Sequence, residues 1–141
     1  PSPILSGLVG SEMCIRDSSE VACVPGSFST PAVFISFMAS AAASHDREAL
    51  VAADEAFHRC LIQLSKHQLL AQLWNGLYLR IHQIMSLRID EGVDLADIAG
   101  AHPPIVEALE AGDVDAAVRL VSLHSNALAD FDPASIAETP Q

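Results

Sequence analysis

The sequence predicts an all-α fold, an antiparallel helical bundle of about five helices. Only 5% of the 141 residues are aromatic while Ala and Leu are abundant, a composition that favours helices over sheets. From residue 31 onward, apolar residues recur at steps of three and four, which places them on one face of a helix. No alternating strand pattern occurs, and the periodic segments are joined by short connections. This combination is typical of a helical bundle.

The first two predicted helices follow a stretch without helical or strand periodicity. Residues 1–27 are rich in Pro, Gly and Ser towards their end, and the first eighteen resemble a translated sequencing adapter, so we expect a non-native leader. The helical domain is predicted to span 28–132. Its first helix covers about 31–43, with a proline at its start. The second begins after an N-cap at Ser44 or Asp46 and ends near residue 65. Its predicted buried stripe is Leu50, Ala53, Phe57, Leu61 and Leu64.

Three more predicted helices follow. The third covers about 68–89, and its predicted buried stripe is Leu70, Leu73, Leu77, Ile81 and Ile84. The fourth covers 94–111, is interrupted by Pro103-Pro104 and stops at Gly112. The fifth runs from its N-cap Asp113 to about residue 129. Its predicted inward positions are Val114, Ala117, Val121 and Leu128. The tail at 133–141 is polar, and we expect it to be disordered.

Charge and the lack of long apolar runs exclude several classes of protein. Seven Lys and Arg stand against 18 Asp and Glu, and the net charge of −11 argues against binding to nucleic acid or to an anionic membrane. No apolar run approaches the ~18 residues of a membrane span, and the N-terminus lacks a signal peptide pattern. The three cysteines are odd in number and lack a metal-binding spacing, which predicts no disulfide framework. We therefore expect a cytoplasmic protein.

Four polar side chains are predicted to face the interior of the bundle. His124 lies within the apolar stripe of the last helix, and Asp54 and His58 are four residues apart on the second helix, so they share a face. His102 directly precedes the inward-facing residues of the fourth helix. A buried carboxylate or imidazole must be paired, hydrogen-bonded or bound to metal. A divalent cation such as Zn²⁺, Ni²⁺, Fe²⁺ or Mn²⁺ would satisfy all four side chains.

Less specific interpretations of these residues stay open at this point. A single inward histidine is more often a core residue bonded to a backbone carbonyl, and Asp54 and His58 alone could form a surface pair. His45, His67 and His82 show no convergence and are predicted to lie on the surface. Three functions fit the pattern: a sensor domain, a metal-dependent hydrolase or oxygenase, and a metal-free helical dimerisation module. The sensor is favoured because no further carboxylate shares the inward face with Asp54 to act as a general acid or base.

The order and spacing of these residues resemble the FCD ligand-binding domain, the C-terminal effector module of FadR-type regulators in the GntR superfamily. The resemblance spans roughly 44–128 and rests on D-x-x-F-H at 54–58, on A-L-x-x-G-D at 108–113 and on a histidine eleven residues after that last Asp. It implies an all-helical domain that binds a small carboxylate metabolite, often beside a metal held by one Asp and three His. The matching positions here are Asp54, His58, His102 and His124.

The resemblance carries further implications and two departures. An Arg on the helix after D-x-x-F-H often faces the cavity in the family, and Arg80 is the matching position, with Arg88 as a second candidate to bind a ligand carboxylate. The family's small-Gly-Asn turn is replaced by Ser-Lys-His at 65–67. The prolines at 103 and 104 are expected to start or kink a helix at His102, which affects the direction of its side chain. The resemblance also implies a homodimer that is not an enzyme and that contacts DNA only through an upstream winged-helix domain, which this chain lacks.

Overall fold

Six α-helices and no strand make up the part of the chain that the computed structural model describes, residues 29–129. The predicted all-α class is confirmed for this part, while the predicted leader and the disordered tail lie outside it. No helix in this range is long and apolar enough to cross a membrane. In chain order the helices are α1 (Ser29–Ala43), α2 (Arg47–Leu64), α3 (Gln68–Asp90), α4 (Leu95–Gly100), α5 (Pro103–Glu110) and α6 (Val114–Ala129).

Side-chain caps fix where the helices begin. Asp46 accepts a hydrogen bond from the N–H of Ala49 at 3.0 Å, so the predicted N-cap of α2 is confirmed. Asp113 likewise accepts from the N–H of Ala116 at the start of α6. These bonds satisfy amide groups that have no partner within the helix. Local hydrogen bonds therefore set where these helices begin. They also set which face of each helix its polar side chains occupy.

The Ser-Lys-His turn between α2 and α3 contains a left-handed residue and the N-cap of α3. Lys66 has φ 55°, in the left-handed region that favours glycine. His67 caps α3 in the place of an asparagine, because its Nδ1 accepts a hydrogen bond from the N–H of Leu70 at 3.2 Å. The turn therefore holds Lys66 in a strained backbone conformation, while His67 satisfies a free amide at the start of α3.

The proline pair ends one helix and starts another. The predicted fourth helix is two helices, α4 and α5, with His102 as the N-cap residue of α5 and the prolines at its first two positions. A proline there removes no helical hydrogen bond, because the first N–H groups of a helix have no partner within it. Pro103 and Pro104 therefore place His102 at a corner between two helices, where its side chain is completely buried.

The core lies where α1 and α2 pack together against α4 and α5. Its largest fully buried apolar side chains come from α1, α2 and α5: Phe34, Met38, Leu50, Phe57 and Ile105. The predicted stripe of α2 is confirmed, since Leu50, Ala53 and Phe57 are buried and Leu61 and Leu64 are half-buried. Each such side chain contributes roughly 1.5–3 kcal/mol of burial free energy. Asp54 and His58 project from the side of α2 that packs against this core.

Two of the predicted buried stripes are wrong in part. Leu70, Leu73 and Leu77 of α3 are 42%, 55% and 51% exposed, and Val114 and Val121 of α6 are 70% and 42% exposed. The side chain of Leu128 lies outside the described part. Periodicity identifies the residues that share a face, but it does not show whether another helix covers that face. At 1.5 Å per residue the 23-residue α3 is about 34 Å long, longer than α2 at about 27 Å, and the first half of α3 is left uncovered along one side.

The cysteines also depart from the sequence prediction. Cys60 is buried, as a small apolar side chain would be, but it is disulfide-bonded. Cys14 and Cys23 lie outside the described residues. The expectation that the cysteines form no disulfide is therefore wrong for Cys60.

Candidate metal centre

Three separate parts of the chain bring four polar side chains together. Asp54 and His58 lie one turn apart on α2, His102 stands at the start of α5 and His124 lies on α6. Each residue offers one ligating atom, and these four atoms all lie within 4.8 Å of one another. The structure thus places together the four residues that the sequence selected.

The distances within this cluster are close to those between atoms that bind one ion. Oδ1 of Asp54 lies 2.9 Å from Nε2 of His102 and 3.8 Å from Nε2 of His58, and the Nε2 atoms of His58 and His124 are 3.0 Å apart. Ligands bound at the usual 2.0–2.2 Å from one ion lie about 3–4.4 Å from one another. The four atoms nearly meet this condition without rearrangement of the helices.

The imidazole of His102 is oriented for metal binding by its own backbone. Its Nδ1 lies 2.9 Å from the carbonyl oxygen of Ile98. A carbonyl only accepts hydrogen bonds, so Nδ1 carries the ring proton and Nε2 presents a lone pair. Nε2 is buried, and a carboxylate oxygen of Asp54 lies 2.9 Å away. Two acceptors at this distance repel each other unless a proton or a cation lies between them, which is the condition that a bound metal ion meets.

Aromatic rings exclude water from the cluster on one side. Phe57 is completely buried and contacts His58 and His102 edge to face, with ring centroids 5.3 and 4.9 Å apart. Trp74 of α3 covers the other side of His58, at 5.5 Å between centroids. The His58 and His124 rings stack at 5.0 Å. This packing holds the imidazoles in place and lowers the local dielectric, so that charges at the centre interact strongly.

The pKa values of Asp54, His58 and His124 favour the protonation states in which these side chains bind a cation. Burial lowers the pKa of His58, against the opposing effect of the Asp54 carboxylate. Burial also lowers the pKa of His124 to about 4, helped by His102 and His58. Burial by itself would raise the pKa of Asp54, but the surrounding imidazoles outweigh it and hold that pKa below its usual value. At neutral pH His58 and His124 are therefore neutral and Asp54 is ionised, the forms in which these side chains bind metal.

The donor set fits a divalent transition metal. Three imidazoles and one carboxylate suit Zn²⁺, Ni²⁺, Fe²⁺ or Mn²⁺, and the second ring nitrogen of His102 already has the backbone partner that metal-bound histidines usually have. Four protein ligands leave up to two positions for water or for a small ligand on a six-coordinate ion. The arrangement can therefore hold a metal and present it to a second molecule.

A cavity of about 460 Å³ opens beside the cluster. Asp54, His58 and His124 form part of its wall, and helices α3, α4 and α6 supply the rest. Arg88 is half-buried and lines this cavity, whereas Arg80 is exposed and is not among the lining residues. The structure therefore brings one of the two sequence-selected arginines to the cluster and leaves the other on the surface.

Sequence reasoning missed Trp74, Asp97 and Ser125 among the residues that line the cavity. Asp97 and Ser125 are exposed polar residues of the kind that covers any helix surface. Trp74 is the single tryptophan of the chain, and its position one turn before the half-buried Tyr78 and two turns before Ile81 is the pattern that could have marked it as inward-facing.

Comparisons with known proteins find a family and a relative to which this chain is similar. A family model described as FCD domain matches residues 34–127. The chain is also similar to a protein of Paenarthrobacter nicotinovorans named "Probable D-xylose utilization operon transcriptional repressor", with 33% identity over 87 residues, which are 62% of this chain and 38% of the relative. The matched segment thus covers well under half of that relative. No solved structure matches the chain.

Proposed function

Because the chain belongs to the FCD domain family, we propose that it is the effector-sensing and dimerisation domain of a GntR-type transcription regulator. The family match and the repressor relative point to a regulator's effector-binding domain rather than to an enzyme. The hydrolase or oxygenase alternative also lacks support in the cavity. Beyond the ligand set, Asp97 is the only carboxylate among the lining residues, and it is exposed rather than held in a water-excluded position.

We propose that Asp54, His58, His102 and His124 hold a divalent metal. The observation that carries this proposal is the convergence of their four ligating atoms within 4.8 Å, with the buried Nε2 of His102 2.9 Å from a carboxylate oxygen of Asp54. When bound, the ion would supply positive charge that attracts an anionic ligand. Elemental analysis of the purified protein tests the proposal, with His58→Ala and His124→Ala as variants and His82→Ala as the matched surface control. Absence of metal from the parent protein after incubation with Zn²⁺, Ni²⁺ and Mn²⁺ would contradict it.

We propose that the effector is a small carboxylate bound in the cavity beside the metal. Support comes from Arg88, which lines that cavity and makes no ion pair with any residue in the 29–129 range. A guanidinium can bind a carboxylate through two parallel hydrogen bonds. A thermal-shift screen of small acids tests the proposal, and it includes D-xylose and its acid because the relative's name refers to D-xylose utilization. Arg88→Gln should abolish a carboxylate-dependent shift that Arg80→Gln retains.

We also propose that the intact protein is a homodimer. Support comes from an exposed row of leucines on one side of α3, here called the α3 leucine row, which consists of Leu69, Leu70, Leu73 and Leu77. Adjacent exposed apolar side chains of this kind commonly form a protein interface. Sedimentation equilibrium measures the oligomeric state. A monomer at all accessible concentrations would contradict the proposal.

We propose that DNA binding belongs to a winged-helix domain encoded upstream, and that the regulator acts in the cytoplasm. The matched segment covers 38% of the repressor relative, so most of that protein lies outside the similarity. The acidic chain itself offers few cations to DNA phosphates. Effector binding in the cavity would then change the relative orientation of two subunits and so of their DNA-binding domains. Sequencing the genomic region upstream of codon 18 tests this, because it either encodes a winged-helix domain or does not.

A further inference from the structure

The charges that face the cavity limit the charge of its ligand. Apart from the metal cluster, the charged side chains lining the cavity are Arg88 and Asp97, and neither makes an ion pair with another described residue. Because imidazoles bind a metal in their neutral form, a divalent cation together with Asp54, Arg88 and Asp97 carries one net positive charge. A ligand with a single negative charge neutralises this site, whereas a second carboxylate would meet the Asp97 side chain.

The remainder of the wall is apolar. Isoleucine, methionine and valine side chains of α3, the α3–α4 link and α4 form most of it, and these residues are Ile81, Ile84, Met85, Val93 and Ile98. Away from the metal cluster, the lining residues offer two uncharged polar groups, the hydroxyl of Ser125 and the indole N–H of Trp74, which is buried without a hydrogen-bond partner. A polyhydroxylated ligand would have to bury several hydroxyl groups against this wall without hydrogen-bond partners, and each unpaired hydroxyl weakens binding by about tenfold or more.

We propose that the cavity selects a monocarboxylate with an apolar chain, in preference to a sugar acid or a dicarboxylate of the same length. The carboxylate is bound at the Arg88 end beside the metal cluster, and the chain lies against the isoleucine and methionine side chains. This inference rests on the proposed function, since it specifies the ligand class of the same site. It differs from that function in predicting which carboxylates are rejected.

The apolar wall predicts a dependence of affinity on chain length. Burial of one methylene group favours binding by about fourfold, so that hexanoate should bind roughly 15-fold more tightly than butanoate. The cavity of about 460 Å³ is near the lower end of the usual range for ligand pockets, so the gain should cease for long chains. A site that recognised only the carboxylate would show no such trend.

Calorimetric titration of the zinc-loaded protein with three six-carbon acids tests the selectivity. Hexanoate carries one carboxylate and an apolar chain, gluconate carries one carboxylate and five hydroxyls, and adipate carries two carboxylates. We expect hexanoate to bind at least tenfold more tightly than either of the others. Asp97→Asn should narrow the difference between hexanoate and adipate by several-fold, while Asp115→Asn, which removes the same charge from a residue that does not line the cavity, should leave it unchanged.

The outcomes separate this inference from the proposed function. Tighter binding of gluconate or adipate than of hexanoate would overturn the inference and leave carboxylate sensing intact. Equal binding of butanoate and hexanoate would also overturn it, because the apolar wall would then make no contact with the chain. Failure of every acid to bind the zinc-loaded protein would contradict the proposed carboxylate sensor itself, and the inference with it.

Discussion

His124→Ala is the change that separates a metal centre from an ordinary cluster of core histidines. His124 is the single contribution of α6 to the cluster and is only half-buried, and its ring nitrogen contacts His58 at 3.0 Å. Truncation of a half-buried side chain costs the metal-free protein about 1 kcal/mol or less. The same truncation removes one of four ligands, so the loss should be much larger when metal is present.

The size of the difference follows from mass action. Metal at 100 times its dissociation constant stabilises the folded protein by about 2.7 kcal/mol. Loss of a ligand should weaken binding by at least roughly 100-fold, the upper end of what loss of a mere supporting hydrogen bond costs. At the same metal concentration about 0.4 kcal/mol of stabilisation would remain. The difference of about 2.3 kcal/mol corresponds to about 8–11 °C in melting temperature for a domain of this size.

Differential scanning calorimetry with and without Zn²⁺ measures this difference. The parent protein and His82→Ala should show the full zinc-dependent rise in melting temperature, because His82 is an exposed histidine outside the cluster. The His124→Ala variant should melt within a few degrees of the parent in EDTA and show almost none of the rise. A full rise in this variant, or the same rise lost in His82→Ala, would refute the assignment of His124 as a ligand.

Three further predictions follow from burial, backbone geometry and exposed surface. The pKa of His124 is lowered to about 4 in the metal-free fold, so the unfolded chain binds a proton more readily than the folded protein. The free energy of unfolding should therefore fall as the pH drops from about 6.5 towards 4. Urea unfolding at pH 7 and pH 5 should show a smaller loss of this free energy for His124→Ala than for the parent protein. Lys66→Gly should stabilise the protein by about 0.5–1 kcal/mol by relieving the left-handed backbone, while Gln63→Gly on the exposed side of α2 should destabilise it by about 1 kcal/mol in the same thermal melts. Leu73→Gln and Leu77→Gln in the α3 leucine row should shift sedimentation towards the monomer and lower the free energy of unfolding by no more than about 1 kcal/mol, since both side chains are about half exposed. A variant that stays dimeric would contradict that interface.

Local sequence patterns predicted the helices and the four polar side chains that converge, because the deciding interactions are local or periodic. Asp46 and Asp113 cap helices through hydrogen bonds to amides three residues away, and the spacing of Asp54 and His58 places both on one face wherever α2 packs. The division of the fourth predicted helix at the proline pair was only partly expected. Two prolines remove two N–H donors, and a helix tolerates this loss only at its first positions. A new helix therefore begins at the proline pair, where the chain changes direction.

Long-range packing decided what the sequence could not predict. The exposure of Leu70 and Leu77 depends on whether another helix lies over α3, and no periodicity within α3 contains that information. The choice between Arg80 and Arg88 depends on the rotation of α3 relative to α2 and α6, which places only Arg88 at the cavity. The disulfide of Cys60 depends on a pairing that residue counts do not reveal.

The weak attachment of α6 has a consequence for how its amide protons exchange with solvent. Among the side chains described in this helix, only Ala117 is buried, and the apolar side chains of Val114, Val118 and Leu123 are largely exposed. A helix with so little buried surface opens at low free-energy cost, so its amides should exchange faster than those of α2. His124 connects α6 to the cluster, so an ion held there must be released, or lose a ligand, each time the helix detaches. The protection of the α6 amides from exchange would therefore report whether the centre holds an ion.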